Sequence, residues 1–277
     1  MTRSADSNWR ADTTSAVTMT AQAPAVFDIL GTQTSVRETL LVGEQARVGL
    51  MGHARQCLGT DRLPRELIGR DANGDPFEGH VHAYFLPVDL DGDGLLEAIV
   101  VQVDGGPSDE LTETLSTFEW FKDSKGRRVR VALRPHDDAL QCPLFAPSAE
   151  LCSATPFVLP RHPKLRRHRP RRDARGRWVE GPVAQLLREI QNANLPAPEP
   201  LIADDVIYGA WVQGHLVPWN EFERRRHRGR GKHGPRTGFG FRLRFDRPIR
   251  GPIAVGYGAH FGLGQFHPTS HLGAQDA

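Results

Sequence analysis

HVHAYFLPV (80–88), DLDGDG (89–94) and LLEAIVVQV (95–103) follow one another along the chain and together predict a β-hairpin. In the first segment, polar and apolar residues alternate well enough to predict a strand. The third is β-branched and largely apolar, which predicts a well-buried strand. The segment between them is short, polar and rich in Asp and Gly, which is typical of a tight turn.

The segments on either side of the hairpin extend it into a larger unit. A strand and a helix precede it, and a helix and a strand follow it, over residues 25–30, 37–56, 108–121 and 127–133. Ser108 suits the N-cap of the second helix, because acidic residues occupy the first turn. The order strand, helix, strand, strand, helix, strand predicts a ferredoxin-like, RNA-recognition-type lobe over residues 25–134.

A second unit is expected after a loop over residues 135–152. Its predicted elements are a strand, a helix, three further strands and a Gly-rich end, at 155–160, 181–194, 201–211, 216–222, 239–245 and 251–266. We therefore predict an α+β protein with two tandem ferredoxin-like lobes, the second at 153–268. Residues 1–24 read as a disordered leader or linker, and residues 269–277 as a tail.

Composition narrows the class of protein. A hydrophobic fraction of 39% and a charged fraction of 25% are typical of a soluble globular chain. No apolar run approaches the ~20 residues that cross a bilayer, and residues 1–24 lack the apolar core of a secretory signal. Cys57, Cys142 and Cys152 form no CxxC pair, which suits a reducing cytoplasm. We expect a cytoplasmic protein with no membrane contact.

Charge is divided unevenly along the chain. Residues 1–160 hold 14 Lys and Arg against 23 Asp and Glu, whereas residues 161–277 hold 21 against 10. Most of the excess lies in two segments rich in basic residues, 161–177 and 224–236, where Pro and Gly predict loops. Such density favours nucleic acid over a merely solvated surface. The residues proposed to bind RNA there are Arg161, His162, Lys164, Arg166, Arg167, Arg224, Arg225 and Arg226.

The Gly-rich end has two open interpretations. Gly256, Gly258, Gly262 and Gly264 surround His260, and aromatic residues alternate with them. All five are candidate RNA-binding residues, and His260 is expected to stack or pack rather than to transfer a proton. Glycines let backbone N–H groups approach phosphate oxygens closely, but they also serve hairpin geometry. The segment matches neither GxxxxGK[ST] nor the GxGxxG of a βαβ unit, so no nucleotide cofactor is indicated.

His80 and His82 are the best catalytic candidates. In a strand both side chains would point to one face. Imidazoles suit the proton transfers of metal-free RNA cleavage because their pKa lies near neutrality. A structural role, or half of a metal site, stays open for either histidine.

No metal site is expected. The segment 89–94 imitates the start of an EF-hand loop, but Val100 stands where that loop needs a bidentate Glu. Zinc spacing is absent as well. A polar hairpin turn is the favoured interpretation.

Three blocks of sequence in one order, GHVHAYFLPVDLDGDG (79–94), TPFVLPRHPK (155–164) and GPIAVGYGAHFGLGQF (251–266), carry a family resemblance. The chain resembles the CRISPR-associated repeat-RNA endoribonucleases, most closely the type I-G branch (formerly I-U). There the nuclease usually follows a domain that caps the crRNA 5′ handle. Residues 1–24 are too few for that domain, so a separated subunit or a processing product is expected.

The resemblance implies two tandem ferredoxin-like domains and a Gly-rich loop that contacts the RNA backbone. It also implies metal-independent cleavage of precursor CRISPR RNA that leaves a 2′,3′-cyclic phosphate. The active-site histidine of the family corresponds to His80 or His82, with His53 in reserve. Other subunits of a type I effector complex are the implied partners. Two alternatives remain: a non-catalytic crRNA-binding subunit, and a DNA- or rRNA-binding module.

Overall fold

The structure is a computed structural model that describes residues 24–69, 82–162, 165–166, 169–174, 176, 178–226 and 237–270. They form an α+β structure with two main antiparallel sheets. Within these residues, no helix combines the length and the apolar character that a membrane crossing needs.

The first sheet has five strands in the order β2-β3-β1-β5-β4, and all neighbours are antiparallel. Its strands are β1 (Ala25–Leu30), β2 (Tyr84–Val88), β3 (Ala98–Gln102), β4 (Trp120–Lys122) and β5 (Arg128–Leu133). The helices of this unit are α1 (Thr39–Leu58), α2 (Arg65–Ile68), α3 (Asp109–Ser116) and α4 (His136–Leu140). The predicted hairpin is confirmed, since β2 pairs with β3 from Tyr84 opposite Gln102 to Val88 opposite Ala98.

The two faces of this sheet are covered differently. Helices α1 and α3 pack on one face, where Phe27, Phe85 and Phe121 are fully buried. The β2, β3 and β1 part of the other face packs against Phe145 and against Ala259 from the Gly-rich segment. The Gly-rich segment therefore packs directly against the first sheet.

The second sheet has the order β10-β13-β6-β15-β14, and β7 pairs with β13. Its strands are β6 (Pro147–Ser153), β7 (Phe157–Val158), β10 (Val206–Ile207), β13 (Gly238–Arg250), β14 (Ile253–Ala254) and β15 (Gln265–Pro268). Helix α5 (Pro182–Asn192) packs on it through Leu186 and Ile190. Two small hairpins lie outside both sheets: β8 (Leu165–Arg166) with β9 (Arg169–Pro170), and β11 (Gly209–Val212) with β12 (His215–Pro218). Val217 of the second hairpin is buried in the core of the first unit.

The element boundaries depart from the sequence prediction in several places. The strand expected at 201–211 is the 3₁₀ turn Ala203–Asp205 followed by β10 and β11. The strand expected at 155–160 shortens to β7. The strand expected at 216–222 shortens to β12, because a 3₁₀ turn, Trp219–Glu221, follows Pro218.

The expected loop over 135–152 is wrong in part, because 147–153 is the central strand β6. Its sequence, PSAELCS, has no β-branched residue, so intrinsic β-propensity does not explain this strand. Pairing with β13 on one side and with β15 on the other stabilises it. The helix expected through Phe121 ends at Ser116, and an edge strand follows. The predicted start of helix α3 is confirmed, since the Ser108 hydroxyl accepts from the Leu111 N–H at 3.3 Å.

Candidate active site

Two of the predicted site residues, His82 and His260, lie side by side in the structure. His82 stands two residues before β2, and His260 is on the 3₁₀ turn Ala259–Phe261. Their imidazole rings meet edge to face with centroids 5.4 Å apart. The Tyr84 ring lies 4.3 Å from that of His260, tilted by 31°. Three side chains capable of proton transfer or hydrogen bonding thus come together from distant parts of the chain.

Helix α2 fixes the position of His82. The Ala83 N–H donates to the Glu66 carbonyl at 3.1 Å, and the buried Glu66 carboxylate accepts from the Ser108 N–H at 2.9 Å. Gly69 ends this helix with φ +69°, and a Cβ there would lie 2.5 Å from His82 Cε1. Glycine at position 69 therefore leaves the space that the imidazole occupies.

A buried polar network fixes the position of His260. Gln265 Nε2 donates to the Pro87 carbonyl of β2 at 2.9 Å and to the Gly262 carbonyl at 3.0 Å. Thr155 Oγ1 donates to the same Gly262 carbonyl at 2.7 Å. Because Gln265 is fully buried and bonds to both units, it joins the Gly-rich turn to the first sheet. The turn that carries His260 is thereby held against the strand that carries Tyr84.

Tyr84 is a hydrogen-bond donor at neutral pH. Burial raises the pKa of its phenol well above the ordinary value, and the carboxylates of Asp104 and Glu189 raise it further. A protonated phenol cannot act as a base, but it can donate to an anionic oxygen. The cluster therefore offers two imidazoles for proton transfer and one phenol for charge stabilisation.

Several backbone N–H groups of the Gly-rich segment have internal partners. The N–H groups of Tyr257 and Gly264 donate to carbonyls of residues 156–158, each at 2.9 Å, and the Phe261 N–H donates to Gly258 at 2.9 Å. Gly262 has φ +90°, and a Cβ there would lie 2.6 Å from Thr39 Cγ2. These contacts support the hairpin-geometry interpretation. Contact between this segment and RNA phosphates stays a prediction.

The three arginines at 224–226 lie in different surroundings. Arg224 donates to the Trp219 carbonyl, and burial lowers its pKa. Arg226 forms an ion pair with the buried Glu44 at 2.8 Å, and its guanidinium lies 4.6 Å from the centre of the Phe261 ring. Arg225 is exposed. Arg225 is thus the one of these three best placed for solvent-side phosphate contact.

The other predicted RNA-binding residues are only partly described. Arg161 and His162 are exposed, and the Gln185 amide holds the Arg161 backbone through two bonds of 3.1 Å. Arg166 lies in β8, but its side chain is not among the described parts. His80, Lys164 and Arg167 lie outside the described residues.

His53, the reserve catalytic candidate, lies in a different place. Its Nε2 is 2.9 Å from Thr117 Oγ1, and its ring packs against Phe118. It lines a groove of about 300 Å³ between α1 and β4, together with Gln45 and Gln56. The structure does not bring it to the His82 and His260 cluster.

A cluster of carboxylates that sequence spacing missed occupies the β2–β3 turn. Oxygens of Asp89, Asp91, Asp93 and Glu97 all lie within 4.8 Å of one another, as ligands of a cation would. Backbone N–H groups already bind them, because Asp89 accepts from residues 92 and 94 and Glu97 accepts from residue 90. Burial raises the pKa of Glu97 to about 7. The EF-hand spacing could not reveal this cluster, because Glu97 is the ninth residue of the segment and not the twelfth.

Comparison of the chain with models of protein families, with curated proteins and with solved structures finds no match.

Proposed function

We propose that this protein is a metal-independent endoribonuclease that cuts CRISPR repeat RNA to make mature crRNA. The observation that carries the proposal is the contact between His82 and His260 beside Tyr84. One imidazole removes the proton from a 2′-OH, and that oxygen attacks the adjacent phosphorus. The other imidazole protonates the departing 5′-oxygen, so the products are a 2′,3′-cyclic phosphate and a 5′-OH. The Tyr84 phenol donates to the anionic phosphate oxygens.

The strand orders support two tandem ferredoxin-like lobes, which we propose as the architecture. In the first sheet the order β2-β3-β1-β5 is that of a βαββαβ unit, and β4 is an added edge strand. In the second, β10-β13-β6-β15 repeats the same order. The Gly-rich turn takes the place of that lobe's second helix, and this substitution brings His260 to the first lobe.

The basic segments supply the RNA contacts in this proposal, and the remaining partners are other subunits of a type I CRISPR effector complex. The three cysteines are free thiols, in line with a cytoplasmic location.

A second candidate function is a non-catalytic crRNA-binding subunit. It is favoured by the packing of the three rings, because the His260 imidazole serves as a packing partner for His82 and Tyr84 at once. In that case the cluster would join the lobes and would not take part in chemistry.

Cleavage of a synthetic repeat hairpin in EDTA separates the two functions. The endoribonuclease produces fragments that end in a 2′,3′-cyclic phosphate, and a hairpin with 2′-deoxy substitution at the cut site stays intact. If the protein binds the hairpin tightly and leaves it intact, the non-catalytic function is correct.

A further inference from the structure

The open end of the first sheet has a surface that the catalytic cluster does not use. On β4 and β5, Phe121, Val129 and Val131 point into the core, so the alternate residues point outward. Those alternate residues are Trp120, Lys122, Arg128 and Arg130, and all four are exposed. We call them the β4–β5 face.

Strand register places these side chains together. Trp120 is opposite Arg130, and Lys122 is opposite Arg128. On the other side of β5, Leu30 of β1 is opposite Arg130 and is 40% exposed. The Arg128 guanidinium lies over the Trp120 ring, 4.3 Å from its centre. The exposed Trp120 ring therefore lies beside Arg128 and Arg130, with Lys122 next on that face of β4. Trp120 and Lys122 also line the groove that holds His53.

Two acids near this surface are already paired with other arginines. Asp28 is paired with Arg134, and Asp123 is paired with Arg127 at 2.7 Å. The three cations of the β4–β5 face therefore outnumber Glu119, the exposed acid beside Trp120. Alternate residues of a strand are about 7 Å apart, so Arg128 and Arg130 can contact separate phosphates.

We infer that the β4–β5 face binds a single-stranded RNA segment, with a base stacked on Trp120 and phosphates on Lys122, Arg128 and Arg130. Charge complementarity and an indole that is 38% exposed select this ligand. A duplex hides the faces of its bases, whereas a single strand presents them for stacking. The inference rests on the proposed function only for the class of ligand, RNA. It adds a site, away from the histidine cluster, for single-stranded RNA beside the cleaved hairpin.

The test measures binding of a fluorescein-labelled 12-nucleotide oligouridine RNA by anisotropy in EDTA. Trp120→Ala is expected to weaken binding roughly 5- to 100-fold, because stacking on an aromatic side chain contributes on that scale. Trp120→Phe keeps a ring and should stay within about threefold of wild type. Trp211→Ala is the matched control, since Trp211 is 47% exposed on the β11–β12 hairpin and should not affect binding.

The cations are tested by the salt dependence of the same binding. Arg130→Ala should lower the slope of log K against log salt by about 0.7, the value for one phosphate contact on a single strand. Arg247→Ala removes an exposed arginine from β13 and should leave the slope unchanged. Melting curves of every variant check that it is folded.

Three results would overturn the inference. The first is that wild-type protein does not bind oligouridine. The second is that Trp120→Ala binds oligouridine as tightly as wild type does. The third is that wild type self-associates in sedimentation while Trp120→Ala does not. The last result makes the face an interface between copies. Oligouridine contains no repeat hairpin, so these results are independent of cleavage. Conversely, a hairpin left uncut with normal oligouridine binding contradicts the proposed catalysis alone.

Discussion

The imidazole rings of His82 and His260 are in edge-to-face contact, with centroids 5.4 Å apart. The first belongs to the N-terminal unit and the second to the Gly-rich turn near the C-terminus. Each position depends on its own support, Gly69 for His82 and the Gln265 network for His260. The proposed proton transfers need both imidazoles at one substrate, so both supports must hold their histidines in place. It is also sensitive to any change that shifts one support relative to the other.

The first prediction concerns catalysis by this pair. His82→Ala and His260→Ala should each slow single-turnover cleavage of repeat RNA by ~10²–10⁴-fold, because each removes one proton-transfer group. RNA affinity should change by less than about threefold. His215→Ala, which alters an exposed histidine on β12, is the matched control and should cleave at the wild-type rate. Wild-type cleavage by both cluster mutants would show that the rings only pack.

The second prediction concerns the packing of the Gly-rich turn. Gly262→Ala should lower the free energy of unfolding by about 1–3 kcal/mol, because the new Cβ would contact Thr39 and the residue has positive φ. Gly214→Ala separates the two causes, since Gly214 has φ +76° and open space around it. Urea melts of both variants measure the difference. If Gly262→Ala is no less stable than Gly214→Ala, close packing at residue 262 is not what requires glycine.

Local patterns explain which parts of the fold were predictable from sequence. The β2–β3 hairpin was predictable because the alternation and the turn chemistry both lie within one short segment. Strand β6 was not, because its stability comes from β13 and β15, which are distant in sequence. The same reason applies to the site. His82 could be selected as a catalytic residue and His260 as an RNA-binding one, but their contact depends on how the two units pack.

The third prediction concerns pH and the carboxylate cluster. Burial raises the folded-state pKa of Glu97 from 4.5 to about 7. Between pH 4.5 and 7 the folded protein therefore binds more protons at this site than the unfolded chain, and stability falls as pH rises through that window. Wild type should lose stability relative to Glu97→Gln between pH 5 and pH 8. Thermal melts in EDTA at both pH values measure this, with Glu199→Gln as the control, since Glu199 is an exposed carboxylate. Parallel pH profiles for wild type and Glu97→Gln would contradict the assignment.

The last prediction separates the neighbouring arginines Arg225 and Arg226. Arg226 is 23% exposed and pairs with Glu44, whose side chain is 3% exposed. Arg226→Ala removes the cation that bonds to this buried carboxylate and leaves Arg47 as a neighbouring positive charge, so we expect a loss of about 1–3 kcal/mol in unfolding free energy. The lower end is expected if water enters the space left by the guanidinium. Arg225 is exposed, so Arg225→Ala should keep the melting temperature and lower the salt slope of RNA binding by about 0.7–0.9.

The double variant Arg226→Ala with Glu44→Gln supplies the control for this comparison. Removing the buried charge together with its partner should recover part of the lost stability, because the remaining amide is cheaper to bury than a carboxylate. If Arg226→Ala is as stable as wild type and instead carries the whole change in salt slope, the ion pair is not structural. Arg226 would then face RNA in solution, and the segment 224–226 would bind phosphates through the residue that pairs with Glu44 of α1 in this structure.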